Sequence, residues 1–213
     1  MFTPIDKPGV VTTNKTLQLP GEIGKFLGKI EQHEYAVVLR GDKGAGKTRL
    51  LYQIKHAFAD AGFDVGSFSL EIDKKSDIVT RMVDEYISPK NRNRVQIAST
   101  SPEGLKTIRQ AAKVFPVIAI DSWGKLGEKQ EEFDKLRKEF PNTFFIVIFQ
   151  STTAGTARGG SMAEYDASVV IQVNKGGIAV CEKNRYADAG NVDAKFLVFE
   201  KKLLVLEKQL SND

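Results

Sequence analysis

Cysteine is almost missing from this chain: Cys181 is the only one among 213 residues. A single thiol forbids an intrachain disulfide and rules out a cysteine-rich zinc site, which fits a reducing compartment. Histidine is nearly as scarce. His33 and His56 stand far apart with no second ligand at metal spacing, so both read as structural. No apolar run approaches the ~18–20 residues of a membrane span. Residues 1–15, MFTPIDKPGVVTTNK, hold no apolar stretch of the kind a secretory leader needs. The expectation is a soluble, cytoplasmic protein with no membrane partner. An excess of one charge is lacking too: a net charge of +4 permits a polyanionic partner without requiring one. Internal repeats and low-complexity blocks are also absent, which leaves ordinary globular folding as the source of structure.

What is present is a balanced composition, 41% apolar and 27% charged, in a chain long enough to bury a sizeable core. Residues 1–20 carry Pro4, Pro8 and Pro20 among Thr/Asn clusters and read as an extended arm. Residues 21–206 form the globular domain, and residues 207–213 a polar tail. Within the domain, apolar strands alternate with amphipathic helices. AVVL lies inside 34–40, and a helix over 48–61 aligns Leu50, Leu51, Ile54, Ala57 and Phe58 before Gly62 stops it. A strand follows at 64–71, a helix at 76–87, a short strand at 94–98, and a helix that Ser101 and Pro102 would cap and open. The run ending at Asp121 is a strand, 128–140 a helix, and 143–150 a further strand. Strands apolar throughout and separated by helices predict an α/β fold, a mostly parallel sheet covered on both faces. Beyond residue 151 a Gly/Thr/Ser-rich loop leads to short strands at 167–174, 178–183 and 194–199. Lys175-Gly176-Gly177 is the hairpin turn there, so the C-terminal edge should be antiparallel.

Gly41, Asp42, Lys43, Gly44, Ala45, Gly46, Lys47 and Thr48 match G-x-x-x-x-G-K-[ST] at every position. The motif follows an apolar strand and opens a helix, as a phosphate-binding loop must. Its glycines let backbone N–H groups curl round phosphates, and the helix start adds partial positive charge. Lys47 would reach the β- and γ-phosphates of ATP and the Thr48 hydroxyl would ligate Mg²⁺. Such a site wants a second carboxylate on the magnesium side, which Asp121 supplies at the end of FPVIAID. It also wants a base to activate water. Glu71, at the carboxyl end of the next strand, is the candidate, with a solvated strand-end carboxylate as the alternative.

With Glu71 the residues begin to resemble known families. Phe68-Ser69-Leu70-Glu71-Ile72, followed by a Lys-rich turn and Arg81-Met82, is similar to DnaB-type replicative helicases, where the Glu is the catalytic base. LRGDKGAGKTRLLYQI resembles the RadA branch of the RecA superfamily. Gln150 ends FFIVIFQ, where RecA-like families keep a polar sensor of the γ-phosphate. Residues 158–162 and 166–170 resemble the DNA-facing loop and following strand of DnaB and RadA, which makes Arg158 a candidate DNA contact. Lys183-Asn184-Arg185-Tyr186 resembles the KNRF motif of RadA and the K-x-R of DnaB, whose Lys and Arg enter the nucleotide site of the next subunit. Here Ala187 replaces the glycine that follows in RadA. RadA's zinc finger and protease-like domain, and DnaB's N-terminal helical domain, have no counterpart.

The resemblance spans roughly residues 35–200. It implies a RecA-like ATPase core that binds ATP and Mg²⁺, assembles as a ring or filament, and acts on single-stranded DNA in replication, recombination or repair. The alternative is a RecA-fold regulatory switch that binds ATP but not DNA. A small-molecule kinase is a third reading, though it would want an Arg-rich lid over the phosphates. The loop 151–165 could line a pore or be a surface loop. Lys90–Arg94 could contact phosphate or be a solvated turn, and Trp123 could stack on a base or pack internally. Cys181 reads as a packed thiol.

Overall fold

The computed structural model describes residues 16–150, 166–186 and 191–200. In chain order these form β1 (Thr16–Gln18), α1 (Gly21–Leu27), β2 (Lys29–Glu31), β3 (Ala36–Gly41), α2 (Lys47–Asp60), β4 (Val65–Ser69), α3 (Asp77–Tyr86), β5 (Val95–Ala98), α4 (Leu105–Ala112), β6 (Val117–Asp121), α5 (Gln130–Glu139), β7 (Phe144–Ile148), β8 (Val169–Val173), β9 (Ile178–Asn184) and β10 (Lys195–Leu197). An eight-stranded sheet runs β10-β9-β8-β3-β7-β6-β4-β5. Neighbours from β8 to β5 are parallel, while β9 is antiparallel to β8 and β10 to β9. This is the α/β arrangement expected from the apolar runs.

The core divides by strand parity, because successive side chains of a strand face opposite sides of the sheet. Val37 and Leu39 pack with α1 and α2 through Phe26, Leu50, Leu51, Ile54 and Phe58. Ala36 and Val38 face the other layer, where α4 and α5 bring Ile108, Phe133 and Leu136. Full burial of side chains of this size contributes ~1.5–3 kcal/mol each. Ser76 caps α3 by accepting from Ile78 N–H at 3.3 Å, and Val79 and Met82 form its buried face.

Two expectations need adjustment, and two open alternatives are settled. Ser101 and Pro102 do not start α4. The Ser101 hydroxyl donates to Gly104 O at 2.6 Å, closing a turn instead of capping a helix, and Leu105 is the first helical residue. The last residues of the expected arm form β1, which pairs antiparallel with β2 in a separate small sheet. Trp123 is 2% exposed, sits beside Phe133 and Phe149, and donates from Nε1 to Glu128 O at 3.1 Å, so it packs rather than stacks on a ligand. The basic cluster at 90–94 forms a short 3₁₀ turn tied to neighbouring acids by Lys90–Asp60, Arg92–Asp84 and Arg94–Asp64 pairs. No helix among the described residues is long and apolar enough to cross a membrane.

Candidate functional site: a phosphate loop at the carboxyl edge of the sheet

β3 ends at Gly41 and α2 starts at Lys47, with the glycine-rich loop between them. Gly41 has φ 139°, and a Cβ there would lie 2.1 Å from Val173 O, so no other residue fits. Gly44 and Gly46 also hold positive φ, at 71° and 113°. The first turn of α2 has neither a capping side chain nor an acidic residue. Its amide dipoles are thus left for an anion rather than satisfied by the chain itself. Lys47 Nζ folds back onto the loop, donating to Gly41 O at 2.8 Å and Asp42 O at 2.9 Å. Its pKa is lowered by burial, opposed by the carboxylates of Glu71, Asp121 and Asp42. Asp42 in turn lies 3.8 Å from Lys175 of the β8–β9 turn.

The acids meet the loop through the parallel register. Asp121 is paired with Ser69 at the ends of β6 and β4. The Asp121 carbonyl accepts from Leu70 N–H at 2.7 Å and Glu71 N–H at 3.2 Å, which fixes the chain past β4. The Thr48 hydroxyl donates to Asp121 Oδ2 at 2.7 Å. Burial raises the Asp121 pKa above the usual carboxylate value, partly offset by the Thr48 hydrogen bond. Glu71 Oε1 accepts from Ser122 Oγ at 2.5 Å and from Gln150 Nε2 at 2.6 Å. Lys47, Thr48, Glu71, Asp121 and Gln150, widely separated in sequence, are therefore collected at one edge.

Lys183 and Arg185 go elsewhere. Because β9 is antiparallel, Lys183 pairs with Val170 and Asn184 with Val169, the residues beside Val38 and Val37 on β3. Arg185 N–H donates to Ser168 O at 2.9 Å. The backbone of both residues thus lies several positions of register before Gly41, with Arg185 toward the amino end of β3. Arg158, the candidate DNA contact, lies outside the described residues.

Two groups at the site carry no motif. Ser122 is fully buried and directs its hydroxyl to Glu71. Lys55 is 1% exposed on α2, with Nζ 3.2 Å from Ser67 Oγ and 3.2 Å from the Tyr52 ring centroid. Burial pulls its pKa down to about 7, against the attraction of Asp121. The sequence did hold a signal for Lys55, since it stands one turn after Leu51 and one before Ala59 on a helix of apolar neighbours. Ser122 had none beyond adjacency to Asp121.

A parallel sheet with a glycine-rich loop after its central strand, acids ending the strands to one side and an antiparallel pair added at the other edge, is the RecA-like α/β fold. Solved structures with this fold include the RadB recombinase, at TM-score 0.57 and 18% identity over 84% of this chain and 94% of that one. A KaiC-like protein from Pyrococcus horikoshii OT3 aligns at TM-score 0.57 and 17% identity, covering 76% of this chain and 84% of its own. The flagellar accessory protein FlaH from Methanocaldococcus jannaschii aligns at TM-score 0.58 and 15% identity, covering 77% and 84% respectively. No family model and no curated relative matches the sequence.

Proposed function

We propose that the chain binds ATP with Mg²⁺, hydrolyses it as an oligomer, and couples hydrolysis to work on single-stranded DNA. The observation that carries the chemical part is the convergence of the Thr48–Asp121 pair and the Glu71–Gln150 pair on one phosphate loop. The uncapped start of α2 and the inward ammonium of Lys47 suit a polyphosphate, and the paired Thr48 hydroxyl and Asp121 carboxylate are the oxygen donors a magnesium ion takes. When bound, that ion neutralises charge on the transferred phosphoryl group. Glu71 accepts a proton from the attacking water. Gln150, bonded to Glu71, faces the last phosphate and aligns that water. Lys183 and Arg185, at the opposite edge, serve the site of a neighbouring subunit. Arg158 contacts the DNA backbone.

A second reading, a RecA-fold switch that binds ATP without DNA, is favoured by the flagellar accessory protein, whose structure aligns as well as the recombinase does. ATP turnover measured with and without single-stranded DNA, beside a mass measurement in solution, separates the two. DNA-stimulated turnover by an oligomer is expected. DNA binding should be sequence-tolerant, fall steeply with salt through counterion release, and weaken in Arg158→Ala while ATP affinity stays constant. No DNA binding at low salt with an ATP analogue and Mg²⁺ present would leave the switch as the reading.

A further inference from the structure

The order of strands decides which way a nucleotide lies in this site. Glu71 and Gln150 follow β4 and β7 and Asp121 ends β6, three strands that stand together on one side of β3. On the other side stands β8, whose turn into β9 brings Lys175 to Asp42 of the loop. A triphosphate with its last phosphate beside Glu71 therefore sends its nucleoside toward β8.

A wall stands there. Val198 and Phe199 donate backbone N–H groups to Gly177 O at 2.8 and 3.3 Å. Gln53 of α2 donates from Nε2 to Val198 O at 3.0 Å, and a Cβ on Gly46 would lie 3.5 Å from the Val198 side chain. The segment past β10 is thus fixed against the phosphate loop from two directions. Arg49, the residue after Thr48, lies with its guanidinium carbon 3.8 Å from the ring centroid of Phe199 and 5.7 Å from that of Tyr86. Its Nη1 donates to Glu85 at 2.8 Å and to the Tyr86 hydroxyl at 2.6 Å, and that hydroxyl donates to Glu85 at 2.9 Å. These polar groups hold one another and hold the guanidinium over the Phe199 ring, which is itself only partly buried.

We propose that Phe199, backed by Arg49, is the platform on which the nucleobase stacks, and that the base is held through its face rather than read along its edge. The inference rests on the ATP reading above and extends it to the choice of nucleotide. Every base offers a π face, so recognition by stacking alone tolerates base identity. The natural substrates are then nucleoside triphosphates as a class, with ATP selected by its abundance.

The test is equilibrium binding of ATP, GTP, CTP and inorganic tripolyphosphate, each with Mg²⁺, to the full chain and to Phe199→Ala and Phe199→Leu. Tripolyphosphate carries no base and reports on the phosphate loop alone, while leucine keeps apolar volume without a ring. We expect the three nucleotides to bind within about 5-fold of one another, and all three to weaken about 10-fold in Phe199→Ala. Phe199→Leu should weaken them by a smaller factor, and tripolyphosphate should bind all three proteins equally. Discrimination of ATP from GTP and CTP by more than about 50-fold would overturn face-only recognition. Nucleotide affinities unmoved by both substitutions, or tripolyphosphate falling in parallel with the nucleotides, would overturn the platform. A wild-type chain binding none of the four ligands would sink the ATP reading itself, an outcome distinct from these.

Discussion

The carboxyl edge of the sheet and its amino edge are built from the same strands but carry different kinds of polar group. At the carboxyl edge, Thr48, Asp121, Glu71, Ser122 and Gln150 are joined by side-chain hydrogen bonds of 2.5–2.7 Å, and Lys47 is turned into the loop they surround. At the amino edge, the end of β9 delivers Lys183 and Arg185, several residues of register away from Gly41. A strand advances ~3.3 Å per residue, so the two edges are about 10 Å or more apart along β3 and β8. The acids of the candidate site are therefore gathered at one edge, while the backbone of Lys183 and Arg185 is held by β9 toward the other. Under the proposed function, with these cations serving a neighbouring subunit, the difference makes binding and full catalysis separable properties, the first belonging to a subunit and the second to an assembly.

The largest expected effect tests that separation directly. Arg185→Ala should lose about 10³-fold or more in turnover while still binding ATP, the loss typical of a cation supplied by a neighbour. Lys47→Ala should be inactive because its own loop is disarmed. Mixed together, the two inactive proteins should recover measurable hydrolysis, since a Lys47→Ala subunit can offer its Arg185 to an intact loop. A mixture that demonstrably co-assembles yet stays inactive would break the comparison between edges. The next effect lies wholly within the carboxyl edge. Glu71→Gln should slow turnover about 10²-fold and leave nucleotide affinity unchanged, as loss of a general base does; turnover at the wild-type rate would remove Glu71 from that role. Ser122→Ala should cost less, about 10-fold in kcat with KM unaltered, because it loosens Glu71 without removing it. A change confined to KM would mean Ser122 serves binding rather than orientation.

The smallest effect concerns stability and is read in the absence of ligand. Lys55 is held by burial at a pKa of about 7, below its ordinary value of 10.5. From pH 7 upward the unfolded chain binds that proton and the folded chain releases it, so folding should strengthen as pH rises. Above pH 9 the trend should weaken. Burial pushes the Cys181 thiol up to about 11 from 9.0 and the Tyr52 hydroxyl up to about 12 from 10.0, and each then favours unfolding as it ionises there. Thermal midpoints between pH 7 and 9 should climb in the wild type and flatten in Lys55→Met. An equally steep climb in the variant would show that another group supplies it.

By itself the sequence determined the phosphate loop, the strand–helix alternation and the acid at the end of β6. Each of these is local: a glycine spacing that frees backbone amides, an apolar period, a carboxylate at a fixed place in a run. It also pointed to Glu71, Gln150, Lys183 and Arg185, through short motifs whose meaning depends on neighbours far along the chain. Only the tertiary structure decided what those residues face. Hydrogen bonding between β4, β6 and β7 set Glu71 against Ser122 and Gln150, and the reversed direction of β9 carried Lys183 and Arg185 to the far edge. α4 starts at Leu105 rather than at Ser101 because a serine hydroxyl can donate to a carbonyl as readily as it can cap an amide, and the local sequence Ser-Pro-Glu-Gly accommodates both. The contact of Arg49 with Phe199 had no local signature, and the apolar helix neighbours of Lys55 signalled its burial but not its Ser67 partner, because each partner is brought to α2 from another element by the folding of the sheet.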